Sequence, residues 1–287
     1  MKKIGFIGQG WIGKNYADSF ESRSFVVVRY SNEKSYRANK EAIKNCDFVF
    51  IAVPTPTTTE GFDDSIVREV VSIVGKGKTA VIKSTIPPKT TKSLEKDNPD
   101  IKILHNPEFL REAHARYDVD NPDRNIIGIP KDNDKYKKLA RELLEILPKA
   151  KFDLICDSDA SEFIKYTHNT LGFSLVLFNN ILYELADAYK IDWRLIKESI
   201  LQNPWIPHKY VDPVHKGGRG AGGDCFIKDF AAFKSLYKKM VNNPAGEEVL
   251  SAYEKKNIEL LLGSKKDIGL LKGVYGDGIV SKGSLGQ

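Results

Sequence analysis

The segment Gly8-Gln9-Gly10-Trp11-Ile12-Gly13 constrains this chain more than any other. A bare G-x-G-x-x-G is a weak match. Here it follows the apolar run of residues 3–7 and opens a helical pattern over residues 11–20, the strand–turn–helix setting that the motif requires. Gly8 permits the tight turn, Gly10 lets backbone approach a pyrophosphate, and Gly13 lets the helix pack close to the strand. The helix N-terminus adds unpaired N–H groups and the positive end of a dipole. The three glycines, Trp11 and Ile12 are therefore candidate contacts of a dinucleotide.

Apolar, β-branched runs recur at residues 25–30, 48–53, 80–83, 101–104 and 125–129, with a helical pattern at 64–74 between them. This alternation predicts an α/β fold: a Rossmann-type parallel sheet over residues 1–156, with helices on both faces and right-handed connections. The pattern then changes. Residues 158–189 hold no proline and show an apolar residue every third or fourth place, which predicts one long helix capped by Ser158 or Asp159. Helical patterns follow at 192–201, 226–241 and 247–262, with a Gly- and Pro-rich loop at 203–224. Residues 157–263 are thus expected as a mostly helical second domain, and 264–287 as a glycine-rich, flexible tail.

Composition removes several function classes. The net charge of +6 is that of a lysine-rich solvated surface with some attraction for anionic ligands. No helix-turn-helix, zinc-finger or RNA-binding signature accompanies it, so nucleic acid is not the expected partner. The three cysteines, Cys46, Cys156 and Cys225, form no C-x-x-C pair, and the five histidines show no H-E-x-x-H spacing, so neither disulfides nor a metal is expected. No apolar stretch is long enough to span a membrane, and the N-terminal lysines are followed by no leader-type apolar region. A cytoplasmic protein is expected.

The ribose position departs from the usual pattern. A dinucleotide-binding unit ordinarily ends its second strand with Asp or Glu, whereas this chain has Arg29-Tyr30-Ser31-Asn32. Arg29 beside a hydroxyl suits a 2′-phosphate and hence NADP. Alternatively Arg29 faces solvent and Ser31 or Asn32 holds the ribose of NAD. NAD is the expectation, with NADP compatible.

The second strong local signal is Gly222-Gly223-Asp224-Cys225-Phe226-Ile227-Lys228-Asp229. Glycines give way to a helix with Asp224 as expected N-cap. Cys225 then falls in the first turn, where the dipole favours thiolate. Lys228 and Asp229 follow at i+3 and i+4 on the same face. The flanking glycines leave room for a substrate. A buried structural cysteine after a glycine turn fits the spacing equally well. In the preceding loop, Lys209 and Arg219 are candidates for a substrate phosphate.

Taken together, the blocks GFIGQGWIG, VPTPT from Val53, STIPPKTT from Ser84, NPEFLREAHARYD from Asn106, DRNIIG from Asp123, SEFIKYTHNTLGFSLVLFNN from Ser161 and GRGAGGDCFIKD from Gly218 run in the order of the UDP-glucose/GDP-mannose dehydrogenase family, which the chain resembles over residues 3 to 230. The resemblance implies NAD-dependent oxidation of a nucleotide-sugar primary alcohol to a carboxylate in two hydride transfers. It implies Cys225 as nucleophile, passing through a thiohemiacetal and a thioester, and Lys165 and Asn169, one helical turn apart, as oxyanion donors. Thr85, Glu108 and Glu112 match positions that arrange water and protons, and Asp229 a proton-handling carboxylate. Val53, Pro54, Thr55, Thr85 and Lys228 join Arg29, Tyr30 and Ser31 on the cofactor side. Glu108, Phe109, Leu110, Lys165, Asn169, Arg219 and Gly222 are the substrate side. A homodimer through the long helix is also implied. Typical members carry a third, nucleotide-binding domain, for which residues 264–287 leave no room. Two further readings stay open: a two-domain β-hydroxyacid-type dehydrogenase on a smaller substrate, and a cofactor-binding protein without catalysis.

Overall fold

In the computed structural model, residues 2–283 are described; the expected tail reaches past them, and Gly286 lies outside. The chain divides into two compact units, one of residues 1–55 and 64–165, the other of residues 56–63 and 166–287.

The first unit holds a seven-stranded sheet built in chain order from β1 (Lys3–Ile7), β2 (Val26–Tyr30) and β3 (Phe48–Ile51). The two-residue strands β4 (Thr57–Thr58) and β5 (Gly61–Phe62) form a separate hairpin, and β6 (Thr79–Ile82), β7 (Lys102–His105), β8 (Arg124–Ile129) and β9 (Phe152–Asp157) complete the sheet. The spatial order is β2-β1-β3-β6-β7-β8-β9. The chain leaves β1 to one side for β2 and returns to its other side for β3, so the order reverses at β1. The crevice beyond the carboxyl ends of such strands is where this architecture receives ligands. Helices α1 (Trp11–Ser22), α2 (Lys40–Ile43), α3 (Ser65–Val71), α4 (Thr90–Asp97), α5 (Ala115–Asp120) and α6 (Asp134–Ile146) connect the strands. The core is aromatic: Phe6 stacks on Phe50 at 5.0 Å and meets Phe20 edge-on at 5.5 Å, a geometry that adds to simple area burial.

Most expected strands are present within a residue or two. Two departures have physical causes. The sheet is not wholly parallel, since β8 runs antiparallel to β7, joined through His105 and Gly128. The strand β9, missed in the sequence, reads FDLICD and alternates weakly because it is an edge strand with only β8 beside it.

The long helix α7 (Ser158–Ala188) runs 31 residues as its periodicity predicts. The Asp159 amide donates to the Asp157 carboxylate at 2.9 Å, so the residue before the expected caps plays that part. In the second unit follow α8 (Trp193–Gln202), the short pair β10 (Val214–His215) and β11 (Gly218–Arg219), α9 (Gly223–Met240) and α10 (Pro244–Gly263). Asp192 caps α8 and Asn243 caps α10 with their side-chain oxygens. The stretch expected as a flexible tail instead carries α11 (Ile268–Tyr275) and α12 (Gly278–Gly283). Leu271 and Val274 are buried there with Ile227 and Leu261, which overrides the low helix propensity of the glycines. Phe173 of α7 stacks on Phe230 of α9 at 3.8 Å.

No helix of the described residues is long and apolar enough to cross a membrane, and no cluster of His, Cys, Asp and Glu among them is arranged to hold a metal ion.

Candidate active site

In the first unit, the glycine turn lies at the carboxyl end of β1. Gly8 has φ +90°, and a Cβ there would stand 2.1 Å from the Ala52 carbonyl oxygen. A Cβ on Gly13 would stand 2.0 Å from the Gly8 carbonyl oxygen. Both positions exclude any side chain. Gly10 differs: a Cβ would meet nothing within 4 Å. Gly10 is the N-cap of α1, and the first amides of a helix, here those of Trp11 and Ile12, have no acceptor within the helix and carry the positive end of its dipole. The buried side-chain amide oxygen of Gln9, Oε1, finds no partner among the described residues. This is the shape and chemistry of a pyrophosphate cradle.

The turn after β3 is tied to the loop after β6. The Val53 amide donates to Ser84 Oγ at 3.0 Å, Ser84 Oγ donates back to the Val53 carbonyl at 2.7 Å, and Thr55 Oγ1 donates to the Thr85 carbonyl at 2.9 Å. Pro54 between them is exposed. Val53, Thr55 and Thr85 therefore form one hydrogen-bonded rim beside the glycine turn, where Gly8 N also donates to the Tyr30 carbonyl.

Arg29 corrects an expectation. Its guanidinium donates to Asp18 at 2.6 Å and to both oxygens of Glu21, and its side chain is only 12% exposed. Two carboxylates already neutralise the cation that a 2′-phosphate would need. At the end of β2, Tyr30 is buried and the Ser31 hydroxyl accepts from the Glu33 amide at 3.3 Å.

Lys165 on α7 donates to Glu108 twice, to its carbonyl at 2.7 Å and its carboxylate at 3.0 Å. Both side chains are 4% exposed. Burial pushes the Glu108 carboxyl up, but Lys165 and the Leu110 amide at 2.8 Å outweigh it and hold the carboxyl below its ordinary range. Phe109 turns its ring under the Arg124 guanidinium at 3.9 Å. Glu112 is exposed and lines a cleft of about 610 Å³ with Asn15, His114 and Tyr117.

Lys83, at the end of β6, was missed in the sequence. It is buried, lies 3.8 Å over the Tyr16 ring, and donates to the side chain of Asn106 at 2.9 Å and to its carbonyl at 3.2 Å. Burial pulls its ammonium down to about 7. A lysine directly after the apolar run TAVI was the available signal. Glu162 was missed too; from α7 it accepts the Lys89 and Thr91 amides at 2.8 and 2.7 Å and so caps α4.

In the second unit, α9 begins at Gly223, with Gly222 as N-cap rather than Asp224. Gly223 has φ +81°, and Asp224 is already helical. Cys225 is partly exposed in the first turn. One turn on, Asp229 is buried and both its oxygens are taken. Asn169 Nδ2 donates to one at 2.6 Å and Lys228 Nζ to the other at 2.6 Å. The expected Lys228 and Asp229 thus lie on α9, the helix that carries Cys225, and Asn169 reaches Asp229 from α7. Lys228 is engaged by Asp229, so its expected role toward the cofactor has no support here. Arg219 is likewise committed, to Asn180 at 2.8 Å and Glu184 at 2.9 Å. A Cβ on Gly222 would fall 2.0 Å from the Asp267 carboxylate. The space beside that glycine belongs to Asp267, not to a substrate.

Residues 29–147 match the UDP-glucose/GDP-mannose dehydrogenase family, NAD binding domain, and residues 159–257 match its central domain. A UDP-glucose 6-dehydrogenase of Rickettsia bellii is 31% identical over 268 residues, 90% of this chain and 58% of that protein. The chain spans about half the length of such curated relatives. A UDP-glucose dehydrogenase structure from Pyrobaculum islandicum superimposes with a TM-score of 0.77 at 24% identity, covering 95% of this chain and 71% of that one. A 3-hydroxyisobutyrate dehydrogenase from Mycobacterium tuberculosis, solved with L-serine, gives 0.68 at 17% identity, covering 89% and 93%. These two likenesses concern the fold. The NAD-binding match agrees with the open Gly10 and the neutralised Arg29: the cofactor is NAD.

Proposed function

This chain belongs to the UDP-glucose/GDP-mannose dehydrogenase family, and from that premise we propose that it oxidises the primary alcohol of a nucleotide sugar to the acid through Cys225. The observation that carries the reading is the buried Asn169–Asp229–Lys228 arrangement one turn along α9 from Cys225. A structural cysteine has no need of a buried carboxylate with both oxygens held by donors one turn away.

The glycine turn of Gly8, Gly10 and Gly13 would hold NAD, which would supply the hydride acceptor for two successive oxidations. The chain's own residues do the rest. Cys225 Sγ adds to the aldehyde carbon left by the first oxidation; the C–S bond forms and the carbonyl oxygen becomes an oxyanion, toward which Lys165 and Asn169 are the donors. As the C–S bond forms, the S–H bond of Cys225 breaks and its proton passes to Asp229, whose oxygens each accept one bond and keep a second lone pair. Loss of hydride from that carbon leaves a thioester. Water then adds to the acyl carbon, the C–S bond breaks, and the thiol returns as the acid leaves. Glu108, kept ionised by Lys165, is suited to take the proton from that water, with Thr85 and Glu112 assisting. Phe109 and Leu110 flank the substrate.

A second reading is one-step oxidation of a small hydroxy acid by a β-hydroxyacid-type dehydrogenase, for which Lys165 and Asn169 on α7 suffice and Cys225 is not needed. NADH yield separates the readings. Two equivalents per nucleotide sugar, tested with UDP-glucose and GDP-mannose, support the first; one equivalent from a hydroxy acid supports the second. Cofactor binding without turnover of either overturns both.

The active form is a homodimer through α7. Leu171, Phe178 and Leu185 recur at seven-residue spacing on that helix and are each more than half exposed, a seam of the kind that pairs helices. Light scattering at the mass of one chain overturns this part. The same reading places the protein in the cytoplasm, where nucleotide sugars and NAD are both present.

A further inference from the structure

We infer that residues 257–267 form a positioning cradle for the Cys225 loop, and that the Asp267 carboxylate sets the acidity of the Cys225 thiol. The inference deepens the proposed function and rests on Cys225 as its nucleophile.

Four side chains of this segment bind the backbone of residues 219–223. Ser264 Oγ accepts from the Arg219 amide at 3.0 Å, and Lys266 Nζ donates to the Gly220 carbonyl at 2.9 Å. Asn257 holds both backbone groups of Ala221, accepting from its amide at 2.7 Å and donating to its carbonyl at 3.0 Å. Asp267 accepts from the Gly223 amide at 2.8 Å. The glycines of the loop make room for these groups. A Cβ on Gly218 would fall 2.8 Å from Ser264 Oγ, and one on Gly220, at φ +88°, would fall 3.0 Å from Asn257 Oδ1.

Asp267 does more than tether. Its own backbone is held in the left-handed region at φ 54°, where aspartate is tolerated at some cost. That conformation delivers its carboxylate to the first amide of α9. The carboxylate answers the N-terminal dipole that Cys225, two residues on, would otherwise have to itself. An anion at that place opposes a second anion on the sulfur and makes the thiol a weaker acid. Lys266, which would come within 2.8 Å of a Cβ on Gly222 through its Cε, supplies charge of the opposite sign. The thiol thus sits between two charges of opposite sign on the same segment, and the loop that carries it is fixed.

The test is the pH dependence of Cys225 alkylation by iodoacetamide, followed by mass spectrometry of the Cys225 peptide in the full chain without substrate. Asp267→Asn keeps the shape and removes the charge; its midpoint is expected to fall by about one pH unit. Lys266→Met is expected to raise the midpoint by a similar amount. Asn257→Ala removes both bonds to Ala221 and no charge; its midpoint stays in place while acid formation falls about tenfold through lost positioning. Circular dichroism establishes that each variant is folded, and if Asp267→Asn is not, Lys266→Met carries the same electrostatic test. Unmoved midpoints, or shifts of one direction in both charge variants, overturn the inference. Because alkylation needs no turnover, midpoints that move as stated in a protein that forms no acid overturn the proposed function and leave the cradle standing.

Discussion

Asn169 on α7 donates to Asp229 on α9 at 2.6 Å, with both side chains buried. The bond leaves Asp229 no oxygen without a donor, because Lys228 holds the other. Asn169→Asp would set two carboxylates at that distance, where both cannot ionise. Steady-state NADH formation in this variant should fall by about 10²-fold or more. Asn169→Gln, which keeps a donor amide, should retain more activity than the aspartate. Equal activity in the two would count against the charge argument.

Cys225→Ser should abolish acid formation, since an oxygen ester linkage neither forms nor breaks as readily as a thioester. NAD affinity, measured by calorimetry, should be unchanged, because the glycine turn and its rim belong to the first unit. Undiminished release of acid by the serine variant would remove Cys225 from the mechanism.

What was legible in the sequence and what was not divides along physical lines. Gly8, Gly10 and Gly13 could be read because the turn's demands are local: a φ that only glycine favours, and backbone atoms too close for a Cβ. The long α7 could be read because 31 residues of helical period leave little ambiguity. Arg29 was misjudged because its partners, Asp18 and Glu21, lie on the preceding helix and a strand end shows no contacts. Arg219 was misjudged for the same reason, its guanidinium being claimed by Asn180 and Glu184. The helices after Gly263 were missed because burial of Leu271 and Val274 decides them, and glycine content points the other way. Asp267, 42 residues from Cys225 in sequence, carried no signal at all.

Arg29→Met provides a check on the cofactor. With its guanidinium engaged by Asp18 and Glu21, Arg29 serves the packing of α1 on β2. Its loss should cost about 1 kcal/mol of stability and leave the ratio of kcat/KM for NAD to that for NADP unchanged, in favour of NAD. A parent protein that uses NADP well, and a variant that does not, would restore Arg29 to the cofactor site.

Lys83 predicts a pH dependence of stability. Burial holds its ammonium down to about 7 from an ordinary 10.5. Between those values the unfolded chain binds a proton that the folded chain does not, so this group's contribution to stability rises with pH across that window and is flat below it. Chemical denaturation of the parent and of Lys83→Met at pH 7, 8, 9 and 10 isolates the term, because other titrations cancel in the difference. The parent should gain stability relative to the variant as pH rises. A constant difference would mean that Tyr16 and Asn106 keep the ammonium charged throughout.

The hairpin of residues 56–63 belongs to the second unit although it is flanked by sequence of the first. The chain therefore passes between the units three times, at residues 55/56, 63/64 and 165/166. A gene cut at the last of these points does not yield two modules: the amino-terminal fragment keeps eight residues that its counterpart needs, and the carboxy-terminal fragment lacks a strand pair of its own. Recombination that exchanges the helical half between relatives must carry those eight residues as well. The two halves are consequently bound to change together, through an inheritance that no single crossover can separate.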